Sequence, residues 1–372
     1  MAIATPPASD GAEPGAAEPL IDPQRRRIDY LRISVTDRCN YRCTYCIPET
    51  GVEHLERESV LSFEEITRLA ACFVRLGVRR LRLTGGEPTV RRDLPRLAAM
   101  LRALPGIEDL ALSTNGHRLA ELAAPLREAG VDRLNISVDS LDPERFARIT
   151  RGGSLPRVLE GIEAARAAGL TRIKLNAVAV RGFNDDEVPA ICAYAWARGM
   201  VPRFIEQMPM AEGALFVPGT FMSAREIRDA VARANPAARL VSEAPSRAAG
   251  AGPARYLRVE GAEGSVHRFG IISAMTEHFC DTCNRLRLSA SGALHTCLGH
   301  DDATDLRGIL RTGGEEATVE AIRAAVRGKR DGHTFGLIGI GGPNNRPNNG
   351  PNSGPNNGPN SGPKKAMVQI GG

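Results

Sequence analysis

From about residue 28 onward, apolar and polar residues alternate in short runs, beginning with Leu31-Arg32-Ile33-Ser34-Val35. A period of two puts every second side chain on one face of a strand. Similar runs predict strands over Arg80–Thr84, Asp109–Ser113, Arg133–Val138, Arg172–Val180 and Arg203–Gln207. Helical spacing predicts helices between them, near 62–76, 92–104, 119–129, 156–168 and 186–198. Ser62-Phe63-Glu64-Glu65 fits a capping box, and Asp142-Pro143 fits an N-cap followed by a first-turn proline. Gly77, Gly130, Gly169 and Gly199 stand where helices should stop. The alternation implies an α/β fold, an incomplete TIM-like barrel of about six βα units.

The pattern changes near 210. A short helix near 223–234 precedes a Pro/Ala/Arg/Gly stretch at 243–254 that reads as a mobile loop. Strand-like segments follow around 255–260 and 267–272, so the barrel carries a C-terminal β-rich extension. The chain divides into a disordered leader (1–24), the barrel (25–210), the extension (211–335), a flexible tether (336–366) and a short tail (367–372). The tether repeats Pro-Asn-Asn-Gly or Pro-Asn-Ser-Gly with a period of four, a composition that cannot build a core.

In parallel α/β folds, chemistry gathers where strands end. Here the first strand runs into Cys39-x3-Cys43-x2-Cys46 and the second into Thr84-Gly85-Gly86-Glu87-Pro88. The third ends at Ser113-Thr114-Asn115-Gly116, the fourth at Ser137-Val138-Asp139-Ser140 and the sixth at Glu206-Gln207-Met208-Pro209. All this polar and glycine-rich punctuation falls on one rim.

Three thiols within eight residues can surround one [4Fe–4S] cube and leave its fourth iron without a protein ligand, an open and therefore catalytic arrangement. A zinc site usually pairs Cys-x2-4-Cys with a distant second pair. Disulfides are disfavoured in a chain with no secretory signal, which reads as cytoplasmic. No run approaches a membrane span. The net charge of +5 comes from scattered arginines and aromatics make up only 4%, which argues against nucleic acid and suits a small anionic substrate.

A second group, Cys280-x2-Cys283-x13-Cys297, again offers three thiols. His278, His295 and His300 lie close enough in sequence to complete a zinc site, so cluster and zinc are evenly matched on spacing. Alternation puts Arg285 and Arg287, either side of Leu286, on one strand face, where two guanidinium forks suit phosphate oxygens or a purine edge. Arg32 and Arg82 sit inside strands, and an inward arginine is costly unless paired. Gly85-Gly86 allows close backbone approach, and Glu87 reads as a structural partner. Cys72 and Cys192 read as buried structural thiols. Met208 alone would be a core residue, Lys174 an exposed strand lysine, and Ser113 and Ser137 ordinary strand ends.

The first cysteine motif, with Tyr45 before its third cysteine, resembles the signature of the radical S-adenosylmethionine superfamily. From about 28 to 335, and again at Gly371-Gly372, the chain resembles the GTP 3′,8-cyclase family of molybdenum cofactor biosynthesis. Arg32–Cys39, Thr84–Pro88, Arg91-Arg92-Asp93, Asn135–Asp139, Phe204–Met208 and Phe279–Leu288 carry the likeness. The resemblance implies two [4Fe–4S] clusters, on Cys39, Cys43 and Cys46 and on Cys280, Cys283 and Cys297, facing one another across the barrel mouth. It implies S-adenosylmethionine contacts at Tyr45, Gly86, Ser137 and Met208. GTP contacts fall on Arg32, Arg82, Ser113, Lys174, Arg285, Leu286 and Arg287, with Ser113 replacing the family's more usual Thr. No acid–base residue is assigned, since clusters and cofactor carry the chemistry.

The implied reaction is lyase-type: a 5′-deoxyadenosyl radical takes hydrogen from C3′ of GTP, and the sugar radical attacks C8. An external flavodoxin- or ferredoxin-like electron donor and a downstream cyclic pyranopterin monophosphate synthase are the implied partners, with a monomer or homodimer as the assembly. The Gly-Gly tail should reach into the site and be poorly ordered without substrate. Competing readings are another two-cluster enzyme of the superfamily, such as a peptide-modifying maturase, an electron-transfer protein, or a zinc-stabilised binding module.

Overall fold

The computed structural model describes residues 19–210, 217, 219–244, 252–261, 264–333, 335 and 364–370. Six parallel strands lead the fold: β1 (Tyr30–Ser34), β2 (Arg80–Thr84), β3 (Asp109–Thr114), β4 (Arg133–Ser137), β5 (Ile173–Ala179) and β6 (Val201–Glu206). The helices between them are α1 (Phe63–Arg75), α2 (Leu94–Arg102), α3 (Leu119–Glu128), α4 (Pro143–Thr150), α5 (Leu155–Ala167) and α6 (Val188–Trp196). Ser62 closes its capping box with Glu65, and Asp142 accepts from the Arg145 amide at 2.8 Å. Gly77, Gly130, Gly169 and Gly199 all take positive φ just past helix ends, where a side chain would be strained.

The later segment continues this same sheet. It adds α7 (Ala224–Ala234), β7 (Arg239–Ser242), β8 (Arg255–Glu260), β9 (Val266–Ile272), β10 (Arg285–Leu288), β11 (Ala293–His295), β12 (Thr304–Asp305) and α8 (Leu306–Arg327). The order is β12-β11-β10-β1-β2-β3-β4-β5-β6-β9-β8-β7. Both β9 and β10 run parallel to the edge strands they extend, β6 and β1. The boundary drawn near 210 is thus a change of sequence pattern within one sheet. That sheet is curled, since Arg203 in β6 reaches past β5 to Asn135 in β4. A mostly parallel curled sheet with open edges is consistent with a partial barrel.

Alternation sorts the side chains. Leu31, Ile33, Leu81, Leu83, Leu110, Leu112, Leu134 and Ile136 face the helices and form a fully buried core. The opposite face lines the concave interior and is polar.

Two expectations need correcting. The leader's last residues are held in place: Leu20 and Asp22 are buried, because Leu20 pairs with Leu76 through its amide and Asp22 binds Arg26. Residues 1–18 lie outside the described residues, as do 245–251 of the expected mobile loop, 336–363 of the tether and the final Gly371-Gly372. At the other end, Ala366 and Ile370 are buried, so residues 364–370 are docked rather than loose. No helix was expected where α8 lies, and Gly314, at φ 73°, kinks it.

Candidate active site

The C-terminal rim of β1–β4 is stitched by buried carboxylates. Glu87 accepts from the Thr89 amide (3.0 Å), Thr89 Oγ1 (2.6 Å), Thr114 Oγ1 (2.7 Å) and the Asn115 amide (2.6 Å). Burial raises its carboxyl, which these donors partly offset. With four donors on it, the carboxylate ties the β2 and β3 loops together. Asp139 does the same between β4 and β5, accepting from Tyr45 Oη at 2.7 Å and the Val178 amide at 2.8 Å. Burial pushes Asp139 up to about 6. Glu206 at the end of β6 accepts from the amides of Ala224 (2.8 Å), Met275 (2.8 Å) and Thr276 (3.0 Å).

The glycines serve this same rim. The Gly86 amide donates to Thr36 O at 2.8 Å and the Glu87 amide to Arg38 O at 2.9 Å. A Cβ on Gly85 would lie 2.6 Å from Thr36 O, and one on Gly86 would collide with the Arg38 carbonyl. Backbone-to-backbone contact with the cysteine loop is therefore the first reason for Gly-Gly.

Cys39, Cys43 and Cys46 are free and half-buried. Burial holds the Cys43 thiol well above its ordinary value, with Asp139, Cys46 and Cys39 pushing the same way. The Tyr41 amide donates to Cys39 Sγ at 3.4 Å. In the second triad the Gly299 amide donates to Cys297 Sγ at 3.4 Å and Arg285 Nη2 to Cys283 Sγ at 3.7 Å. Burial would raise Cys283, but Arg285 and Lys329 outweigh it and bring the thiol down to about 6. Among the described residues no three His, Cys, Asp or Glu side chains converge as one metal ion requires. Each triad instead comprises thiols that sense one another electrostatically, with N–H donors aimed at sulfur, the setting that suits an iron–sulfur cluster.

His278 and His300 are turned elsewhere. His278 Nδ1 meets His333 Nε2 at 3.1 Å, and His300 Nε2 meets the Gly332 carbonyl at 2.9 Å. Buried His295 is pushed down to about 4 by burial, Lys365 and Arg287.

The triads do not face each other across one mouth. In the β1–β10 register Tyr30 pairs with Arg285, so Cys283 lies level with the start of β1, whereas Cys39 follows its end. Strand rise is about 3.3 Å per residue, so Tyr30–Ser34 alone separates the two ends by roughly 13 Å. The interior lies between them.

That interior holds a row of cations. Arg287, Arg32, Arg82, Ala111 and Arg133 are in register across β10, β1, β2, β3 and β4. Arg82 is buried above the Tyr30 ring at 5.4 Å, and its Nε has no hydrogen-bond partner. Burial, with Arg203 and Arg133 adding to it, lowers Arg82 to about 10. Arg133 pairs with Asp109. One layer higher, Ser113, Asn135 and Lys174 are in register. Lys174 Nζ donates to Tyr256 Oη at 2.8 Å, while Arg203 donates to Asn176 (2.9 Å) and Asn135 (2.6 Å).

The sequence-derived site residues divide accordingly. Arg32, Arg82, Ser113, Lys174, Arg285 and Arg287 share the interior face, with Ser137 half-buried one step further along β4. Tyr45 and Gly86 lie on the cysteine rim. Met208 packs against Phe221, Ala274 and Met275. Leu286 does not join the interior, for its side chain is fully buried in the opposite, apolar core. Arg133, Arg203 and Tyr256 were missed; the two arginines lie in predicted strands, but no local pattern says which strand face is concave.

Two family models cover most of the chain: the radical SAM superfamily over residues 33–195 and Molybdenum Cofactor Synthesis C over residues 200–335. A GTP 3′,8-cyclase 1 of Pseudomonas aeruginosa is 48% identical over 321 residues, covering 86% of this chain and 95% of that relative. A GTP 3′,8-cyclase of Pelotomaculum thermopropionicum is 46% identical, covering 84% and 94%. Among solved structures, Streptococcus suis SuiB superposes with a TM-score of 0.57 at 11% identity, over 82% of this chain and 70% of that one, which speaks to the fold alone. Motifs, sheet and relatives agree: the chain belongs to the radical SAM superfamily and, within it, to the GTP 3′,8-cyclase family.

Proposed function

We propose that the protein converts GTP to (8S)-3′,8-cyclo-7,8-dihydroguanosine 5′-triphosphate, the first step of molybdenum cofactor biosynthesis. The observation that carries this reading is the arginine row between the two cysteine triads. Arg82 and Arg133 are buried and Arg32 and Arg287 half-buried, all in register along one face of the sheet, and this concentration of guanidinium groups suits a polyanion. A peptide substrate would have little use for it.

Cys39, Cys43 and Cys46 would hold one [4Fe–4S] cluster, and Cys280, Cys283 and Cys297 a second. With S-adenosylmethionine bound, the first would supply its reductive cleavage to a 5′-deoxyadenosyl radical, and the second would supply a metal contact for the guanine. The chain's own residues bind and orient. Arg32, Arg82, Lys174 and Arg203 take the triphosphate, while Arg285 and Arg287 lead toward the second triad and the base. Ser113 and Asn135 present hydroxyl and amide groups between them. Tyr45, Gly86, Ser137 and Met208 frame the S-adenosylmethionine side. The ribose then spans the interval between cofactor and base, so that C3′ can lose hydrogen to the radical and close onto C8. The external electron donor, the downstream synthase and the cytoplasmic setting belong to this same reading.

The test is anaerobic reconstitution followed by turnover. Two clusters give roughly eight irons per chain. Reductant, S-adenosylmethionine and GTP should then yield 5′-deoxyadenosine and the cyclised nucleotide in equal amounts. A zinc-bound, colourless protein, or 5′-deoxyadenosine formation indifferent to GTP, sinks the proposal.

A further inference from the structure

Residues 19–29 precede the barrel, yet they grip the second cysteine segment. Ile21 bridges Arg27 in an antiparallel turn, with Arg25 at positive φ and Asp22 Oδ1 accepting from the Gln24 and Arg26 amides at 3.1 and 2.8 Å. This turn presents a buried Arg26 guanidinium whose nitrogens are all engaged. Nε pairs with Asp22 at 2.5 Å, Nη1 donates to Cys280 O (2.8 Å) and Asp331 O (2.7 Å), and Nη2 donates to Gln24 Oε1 (2.9 Å) and Arg330 O (2.7 Å). Three residues later Asp29 accepts from Asn284 Nδ2 at 2.5 Å and binds Arg80 at 3.2 Å. The Cys280-x2-Cys283 loop is therefore held on both flanks, on the carbonyl of its first cysteine and on the residue after its second. A buried Lys329 makes the matching contact on the third arm, donating to the carbonyl of Thr296 beside Cys297.

A buried ion pair such as Asp22–Arg26 is a weak source of net stability, because desolvation offsets its attraction. What a saturated guanidinium supplies is fixed geometry. The loop needs it: Cys280–Thr282 is a single 3-10 turn with no buried residue of its own. We infer that residues 22–29 form a positioning clasp, in which Arg26 and Asp29 set the place of the second cysteine triad relative to the barrel interior and hence to the bound nucleotide. Arg26 and Asp29 are positioning residues. The inference rests on the second triad holding a cluster.

The experiment uses the full-length chain, reconstituted anaerobically, as wild type, Arg26→Ala, Arg26→Lys and Asp29→Asn. Iron content, the electron paramagnetic resonance signal of the second cluster with and without GTP, KM for GTP, and GTP-independent 5′-deoxyadenosine formation are measured together. Arg26→Ala should blunt the GTP-induced change in the second cluster's signal and raise KM by about tenfold or more. Cofactor cleavage without GTP should stay unchanged. Arg26→Lys, with one donor group in place of a planar fork, should fall between. Asp29→Asn keeps an acceptor for Asn284 but loses the Arg80 pair, and should shift KM in the same direction even if Arg26→Ala fails to fold. An unchanged signal and KM in folded variants overturns the clasp, as does parallel loss of both clusters in every variant. A wild-type protein with roughly four irons would instead show that the second triad holds no cluster, and the clasp would fall with that reading.

Discussion

Lys174, half-buried beside the arginines of the interior, donates to the hydroxyl of Tyr256 at 2.8 Å. Burial, reinforced by Arg203, Arg133, Arg82 and Arg268, brings the lysine down from 10.5 to about 6. In the ligand-free protein at pH 7 it is therefore mostly uncharged. A triphosphate beside it favours the ammonium, so GTP binding should take up a proton. The bound form then holds more protons than the free form above pH 6, and GTP affinity should fall as pH rises from there. By the same linkage, the unfolded chain binds the extra proton between about 6 and 10.5, so this group's contribution makes ligand-free stability rise with pH across that window. Calorimetry in buffers of different ionisation enthalpy would read the uptake, which Lys174→Met should abolish. Equal binding heats in every buffer would refute it.

Arg82 trades stability for binding. It is buried, with an unsatisfied Nε and other guanidinium groups around it. Arg82→Met should raise the melting temperature of the ligand-free protein by several degrees, about 1 kcal/mol or more. The same change should raise KM for GTP about ten- to a hundredfold. Thermal unfolding and steady-state kinetics on one preparation decide the matter; a less stable variant with unaltered KM contradicts it.

Glu87 holds two loops of the rim. Glu87→Ala strips the acceptor from two backbone amides and two hydroxyls at once, and should cost about 2–5 kcal/mol. Glu87→Gln keeps one carbonyl oxygen and should cost less. Denaturant unfolding gives both values, and the proposed structural role fails if the two variants match wild type.

The docked tail makes a different prediction. The Lys364 amide donates to Asp301 Oδ2 at 3.0 Å, and Ala366 packs with Ile47 beside Cys39 and Cys46. The tail thus joins the segment after Cys297 to the first cysteine loop. Ala366→Asp would bury a charge against this loop and should release the tail. Cyclase turnover should drop while 5′-deoxyadenosine still forms, as it should after deletion of Gly371-Gly372. Full turnover in both variants would show the tail to be dispensable.

Strand alternation made β1 to β6, β8 and β9 legible, together with the rim where the first loops carry Cys39, Gly85 and Ser137. The helix stops at Gly77, Gly130, Gly169 and Gly199 were legible because only a residue without Cβ takes those angles readily. Arg133 and Arg203 were not picked out, since a strand arginine is informative only when one knows which face is concave. Asp22 was read as the end of the leader and Arg26 was not singled out, because neither carries local periodicity and Arg26 meets Cys280 and Asp331 across 254 and 305 residues of chain.

By itself, then, the sequence determined the ligand types and the local elements: three thiols in each group, glycines where backbone must pass close, and paired arginines on one strand face. These depend on spacing along the chain, which periodicity and motif report directly. Only the tertiary structure decided that the triads sit at opposite ends of β1 and β10, that four arginines align across strands remote in sequence, and that residue 26 holds residue 280. Such facts follow from strand register and sheet curl, which long-range packing sets and no local pattern encodes.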